Sequence, residues 1–245
     1  MRKSNRLSGW QERLIDGLAG LASKLGKNAE SDSTERMKFV GYHDLLKVME
    51  KPSCPACFIV RRSLQGYLGV AFIEELTSPE FREPLRASFG YCEEHSDYVK
   101  AAARNRLKKM GIAIVYEDVL ARVQDFFRRH HAVPRVANCP LCKLQDDVNA
   151  YVVRLIADYC GDSEFQKHYA ASAGVCLPHY RSIARLLTGD AREFFLDDHR
   201  KKLSTLLGHL QEFIRKYDYR FSHEKMTNEE THSWKNAVRF IVGEA

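Results

Sequence analysis

Eight residues of this 245-residue chain have the types and spacing to hold metal: Cys54, Cys57, Cys92 and His95, then Cys139, Cys142, Cys176 and His179. Each set reads C-x2-C, then 34 or 33 intervening residues, then C-x2-H. Three soft thiolates and one imidazole make a complete tetrahedral shell for zinc, with no position left for water. Two residues between ligands let one turn of backbone aim both side chains at a common point. A metal so held contributes folding free energy directly. The expectation is two Zn2+ ions, one closed within each set. An iron–sulfur cluster is the alternative cofactor, although it more often takes four cysteines. A zinc-held thiol switch, releasing metal on oxidation, is a further reading of the same residues.

The neighbours of the cysteines say what must position them. Pro55 and Pro140 suit the first position of a helix, with Cys54 and Cys139 as caps. The helix dipole then favours thiolate at those sites. Gly90 and Gly174, two residues before Cys92 and Cys176, supply a tight turn in both sets. The metal is therefore expected at helix ends rather than in a β-ribbon. Cys160 stands apart from both sets, and its expected role is that of a small buried hydrophobe.

The chain also aligns with itself beyond the cysteines. "FGYCEEH" (Phe89 to His95) maps onto "AGVCLPH" (Ala173 to His179) at an offset of 84, close to the 85 that separates the two C-P-x-C units. "VQDFFRR" (Val123 to Arg129) maps onto "LQEFIRK" (Leu210 to Lys216) at 87. So small a drift reads as an internal duplication.

Apolar residues recur at three- and four-residue spacing and no period-two pattern stands out, so the class is all-α. Ser78-Pro79 reads as an N-cap with proline at the first helical position, and Ser163 with Gln166 has capping-box spacing. The segment after His95 is expected to form a helix ending at Gly111, and the next to run from about Ile112 to His131. Residues 7–25 place Trp10, Leu14, Leu18, Leu21 and Leu25 on one helical face. Thr227 and Glu230 form a capping box ahead of a closing helix that carries Trp234, Val238 and Ile241. The expected organisation is residues 1–39 as an amphipathic helix and polar linker, 40–133 and 134–221 as tandem helical zinc units, and 222–245 as a C-terminal packing helix.

"CPAC" with "GYCEEH", "CPLC" with "GVCLPH", and the tail elements "KYDYRF" and "SWKNAVRFIVG" resemble an uncharacterised prokaryotic family of helical proteins. That family carries only a domain-of-unknown-function label. The resemblance covers about residues 40–243, leaves the N-terminal helix outside, and implies a zinc-type fold without a substrate.

Catalytic signals are sparse. The chain contains no G-x-G-x-x-G, P-loop, H-E-x-x-H or nucleophile elbow, and a closed metal site does not activate water. Tyr116, Glu117 and Asp118, with Tyr217, Asp218 and Arg220, are the residues that could line a polar site at the junction of the two repeats. A hydrogen-bonded packing network is the favoured reading of them. "FFLDDHRKK" sets acids beside His199, and a solvated helix face is the expectation there.

A net charge of +6 and pI near 8.9 are a mild basic excess that permits an acidic partner without demanding one. The basic runs "RNRLKK", "RRHH" and "HRKK" leave nucleic-acid binding open, though aromatic residues are not interleaved in them. Residues 7–25 fit packing on the body, a partner's groove, or peripheral membrane contact. With no long apolar run and no signal-peptide pattern, the expected compartment is the reducing cytoplasm, where seven cysteines favour metal over disulfides. The reading that emerges is a non-enzymatic interaction or assembly protein that binds a protein partner, with zinc as its scaffold.

Overall fold

The computed structural model describes residues 41–130, 137–221 and 223–244. The N-terminal stripe from Trp10 to Leu25, its polar linker, and most of the linker around Pro134 lie outside the described residues. Among the described residues there are ten α-helices, one 3-10 turn and no strand, so the all-α expectation holds. The helices are α1 (Tyr42–Met49), α2 (Pro55–Glu74), α3 (Pro79–Ser88), α4 (Glu93–Ala102) and α5 (Arg106–Arg129), followed by α6 (Pro140–Tyr159), α7 (Ser163–Ala171), α8 (Leu177–Ala184), α9 (Gly189–Lys216) and α10 (Asn228–Val242). No described helix is long and apolar enough to cross a membrane.

The chain divides into two compact units that are nested in sequence. Of the described residues, those within 56–154 and Glu244 make a central unit, and those within 41–55 and 155–243 make a flanking unit.

In the central unit, α2 buries Leu64, Leu68, Ala71 and Phe72, each at most 1% exposed, at the four- and three-residue spacing of one helical face. Full burial of a side chain such as Phe72 is worth roughly 1.5–3 kcal/mol. Phe72 meets Phe81 of α3 edge-on, with ring centroids 5.9 Å apart. Ser78 caps α3 ahead of Pro79 as its sequence predicts, although its hydroxyl donates to Glu80 rather than accepting from the helix backbone. The α3 helix is tied to α5 through Asp118, whose carboxylate accepts from Arg82 Nε at 3.0 Å and Arg86 Nε at 2.6 Å.

One sequence-based boundary is corrected here. Gly111 does not end a helix; it lies buried inside α5. The break falls earlier, after Ala102, because Asn105 caps α5 by accepting from the backbone N–H of Lys108. Gly111 is small because a Cβ there would stand 1.9 Å from the backbone oxygen of Phe72. Two helix backbones touch at that point.

The flanking unit shows a second correction. The cap of α7 is Asp162, not Ser163: its side chain accepts from the N–H groups of Glu164 and Phe165. The same carboxylate accepts from the Tyr42 hydroxyl at 2.8 Å, which docks α1 on α7. Asp162 thus satisfies a helix end and a tertiary contact at once. The helices α9 and α10 pack together, and Lys216 Nζ donates to Glu230 at 2.8 Å. Glu230 also closes the expected capping box with Thr227.

Candidate metal centres

All eight expected ligands come together, in two groups of four. Within each group the potential ligand atoms lie within 4.8 Å of one another. The grouping corrects the sequence expectation. Cys54 and Cys57 gather with Cys176 and His179, while Cys92 and His95 gather with Cys139 and Cys142. The pairing is nested, first pair with fourth and second with third, rather than closed within each repeat. Sequence spacing alone did not announce this: the nested groups close over 43 residues between His95 and Cys139 and 118 between Cys57 and Cys176, against 34 and 33 for pairing within each repeat. Tertiary packing makes the choice.

The local scaffolding follows the expectation. Cys54 and Cys139 immediately precede α2 and α6, which begin at Pro55 and Pro140, while Cys92 and Cys176 are the N-caps of α4 and α8. Each quartet is therefore built from two helix N-termini, whose positive ends favour thiolate. Gly90 and Gly174 adopt φ values of +103° and +74°, the left-handed turn that leads the chain to each third cysteine.

In the inner quartet His95 Nδ1 stands 3.2 Å from Cys92 Sγ, 3.4 Å from Cys142 Sγ and 3.6 Å from Cys139 Sγ. Its other ring nitrogen, Nε2, lies 2.8 Å from Gln145 Oε1. With that oxygen accepting, Nε2 carries the proton and Nδ1 presents its lone pair to the thiols. Without a cation, burial and then the neighbouring Cys92 and Cys139 push the Cys142 thiol up to about 12. A metal reverses that preference, since a coordinating thiol is deprotonated outright. In the outer quartet His179 Nδ1 is 3.0 Å from Cys176 Sγ and 3.6 Å from Cys54 Sγ, so Nδ1 again faces the sulfurs. The donor set fits a tetrahedral thiophilic ion in both places.

Two supporting residues escaped the sequence reading. Gln145 sits one helical turn beyond Cys142 on α6, a signal that spacing alone could have given. Glu244 donates its backbone N–H to Cys57 Sγ at 3.4 Å and pairs with Arg61 at 3.6 Å. It stands 187 residues from Cys57, and nothing local announces it.

The remaining candidates sit elsewhere. Asp118 is engaged by Arg82 and Arg86, Glu117 is exposed, and burial raises the Tyr116 hydroxyl above its ordinary range. Tyr217 is exposed at the end of α9, and Asp218 is held by Arg220 Nη2 at 2.7 Å. Asp118 is thus paired with α3, and Asp218 with Arg220 two residues on. His199 departs from the solvated face expected of it. It is 5% exposed and stacks on Tyr180 with centroids 4.1 Å apart. The adjacent acids are occupied, Asp197 by Lys201 and Asp198 by Lys202. Cys160 is fully buried, as expected of a packing residue, and burial pushes its thiol up to about 12.

Fold and site define a helical protein with two Cys3His groups that could hold metal. Residues 129–245 match the model of a family of unknown function (DUF6062), a stretch that includes Cys139, Cys142, Cys176 and His179. The chain is also similar to an uncharacterized 23.9 kDa protein in the xynA 3′ region of Caldicellulosiruptor sp. (strain Rt8B.4). The two are 22% identical over 209 residues, 81% of this chain and 99% of that protein. No solved structure matches the chain significantly. The resemblance drawn from the cysteine motifs therefore stands, and the relatives bring no activity with them.

Proposed function

We propose that the two quartets each bind one structural Zn2+ and that the helices they anchor present a surface to a protein partner. The observation that carries the metal part is the closed donor set: four protein ligands converge in each group. A zinc ion so enclosed keeps no water to activate, which favours scaffolding over hydrolysis.

The partner part is supported by α9 and its C-cap Tyr217, where Leu203, Leu207, Ile214 and Tyr217 form an exposed stripe at 43%, 51%, 64% and 74% exposure. The stripe follows the four- and seven-residue spacing of a helix-docking face. The nucleic-acid reading draws less support. Lys201 pairs with Asp197, and Lys202 spans Asp198 and the carbonyls of Tyr169 and Ala170. In the run "HRKK" Lys202 is thereby spent inside the fold and Lys201 is paired at the surface.

Elemental analysis with an absorption spectrum tests the metal. The expected result is two zinc per chain, no visible chromophore, and loss of helical circular dichroism on chelation. Iron with visible absorption, or metal-free protein of unchanged melting midpoint, overturns it. A photo-crosslinking residue placed at Leu207 tests the partner in cells. One recurrent protein adduct is expected; nucleic-acid adducts, or none, overturn that part.

A further inference from the structure

The two quartets differ in a way their shared ligand set hides. In the outer quartet Cys54, Cys57 and Cys176 are all buried, at 8%, 6% and 2% exposure. In the inner quartet only Cys139 is buried among the cysteines; Cys92 and Cys142 are both partly exposed. Those two sulfurs lie 3.7 Å apart, and each sits at the start of a different helix, α4 for Cys92 and α6 for Cys142.

We propose that Cys92 and Cys142 form an oxidative modification site: peroxide converts them to a disulfide and releases the inner metal, while the outer metal stays. The proposal rests on the zinc reading above. Zinc-bound sulfur is thiolate, and among thiolates susceptibility to oxidation follows exposure. One exposed thiolate attacks hydrogen peroxide; its S–O bond forms as the O–O bond breaks, giving a sulfenic acid and hydroxide. The second thiolate attacks that sulfur, the S–S bond forms, and the S–O bond breaks with loss of a second hydroxide. Two protons from solvent convert the hydroxides to water. The sulfurs lose two electrons in all, peroxide gains them, and zinc leaves with two of its four ligands gone.

The sulfurs need close by little. A disulfide places them about 2.05 Å apart, and Cys92 and Cys142 stand at 3.7 Å before any metal is lost. The outer site has no exposed thiol, since Cys54, Cys57 and Cys176 are all buried. Its partly exposed ligand is His179, which does not undergo this reaction.

The test uses the full-length protein as purified, with its metal content measured first. Absence of metal at that stage refutes the structural-zinc reading itself. With two zinc present, graded hydrogen peroxide is added while released zinc is read with a colorimetric chelator. Disulfides are then mapped by mass spectrometry of non-reduced peptides. The expected result is release of one zinc per chain, a Cys92–Cys142 linkage, and recovery of both on adding dithiothreitol and zinc. Release of both zinc ions together, release of neither, or a first disulfide at Cys54–Cys57 or Cys139–Cys142 overturns the proposal while leaving the zinc reading intact.

Discussion

His95 and Gln145, 50 residues apart in sequence, meet through Nε2 and Oε1 at 2.8 Å, leaving the imidazole's other nitrogen aimed at three thiols. Ligating histidines are characteristically fixed this way, and loss of such a partner costs about 10- to 100-fold in metal affinity. Gln145→Leu is expected to weaken the inner site by that factor and leave the outer one unchanged. Competition against a zinc chelator, resolving two binding phases, checks it; weakening of both phases equally would refute the assignment. The outer site has Val60 at the matching step after Cys57, so no equivalent glutamine is available there.

The nested pairing makes a prediction that the tandem pairing reverses. Cys54→Ser with Cys176→Ser removes two ligands from one quartet, and the protein should retain about one metal per chain. Cys54→Ser with Cys92→Ser wounds both quartets, and retention should fall towards none. Elemental analysis of the two double variants decides, since pairing within each repeat would exchange the outcomes.

Gly111 and Gly66 predict opposite effects of the same substitution. Gly111→Ala forces a Cβ against the Phe72 backbone oxygen at 1.9 Å, where backbone rather than a flexible side chain must yield. A cost of about 3 kcal/mol is expected, at the upper end of overpacking. Gly66 lies within α2 with nothing within 4 Å of an added Cβ. Gly66→Ala should therefore stabilise by ~0.5–1 kcal/mol through helix propensity. Urea denaturation of both variants measures the two signs directly.

His199 gives the fold a pH dependence. Burial, only partly offset by Asp198, lowers its pKa from 6.5 to about 4. Both ring nitrogens are buried without hydrogen-bond partners, and Tyr180, Phe195 and Phe240 surround the ring. Between pH 6.5 and 4 the unfolded chain binds a proton that the folded one refuses. The contribution of neutral His199 is therefore intact above pH 6.5 and erodes as pH falls, by up to about tenfold in the folding constant per unit. His199→Phe should remove that component. The difference between wild-type and variant midpoints across pH 4–7 isolates it, because the metal ligands titrate in both proteins.

Much of the site was legible because its determinants are local. Cysteine and histidine identity, the two-residue spacing, the prolines that start α2 and α6, and the positive-φ glycines each act within a few residues. The same holds for the Thr227–Glu230 capping box and for the all-helical class, which periodicity carries.

What the sequence withheld depends on approach between distant segments. Gly111 looked like a helix end because glycine favours both a stop and a close contact, and only the Phe72 carbonyl pressed against it tells the two apart. His199 looked solvated because its neighbours are charged, yet those charges pair along α9 and leave the ring to an aromatic stack. The sequence by itself determined the eight candidate ligands and the helix ends that carry them. The tertiary structure alone decided which ends meet: loop length favours the short within-repeat gaps only weakly, because closure cost grows slowly with length, and the packed helices override it.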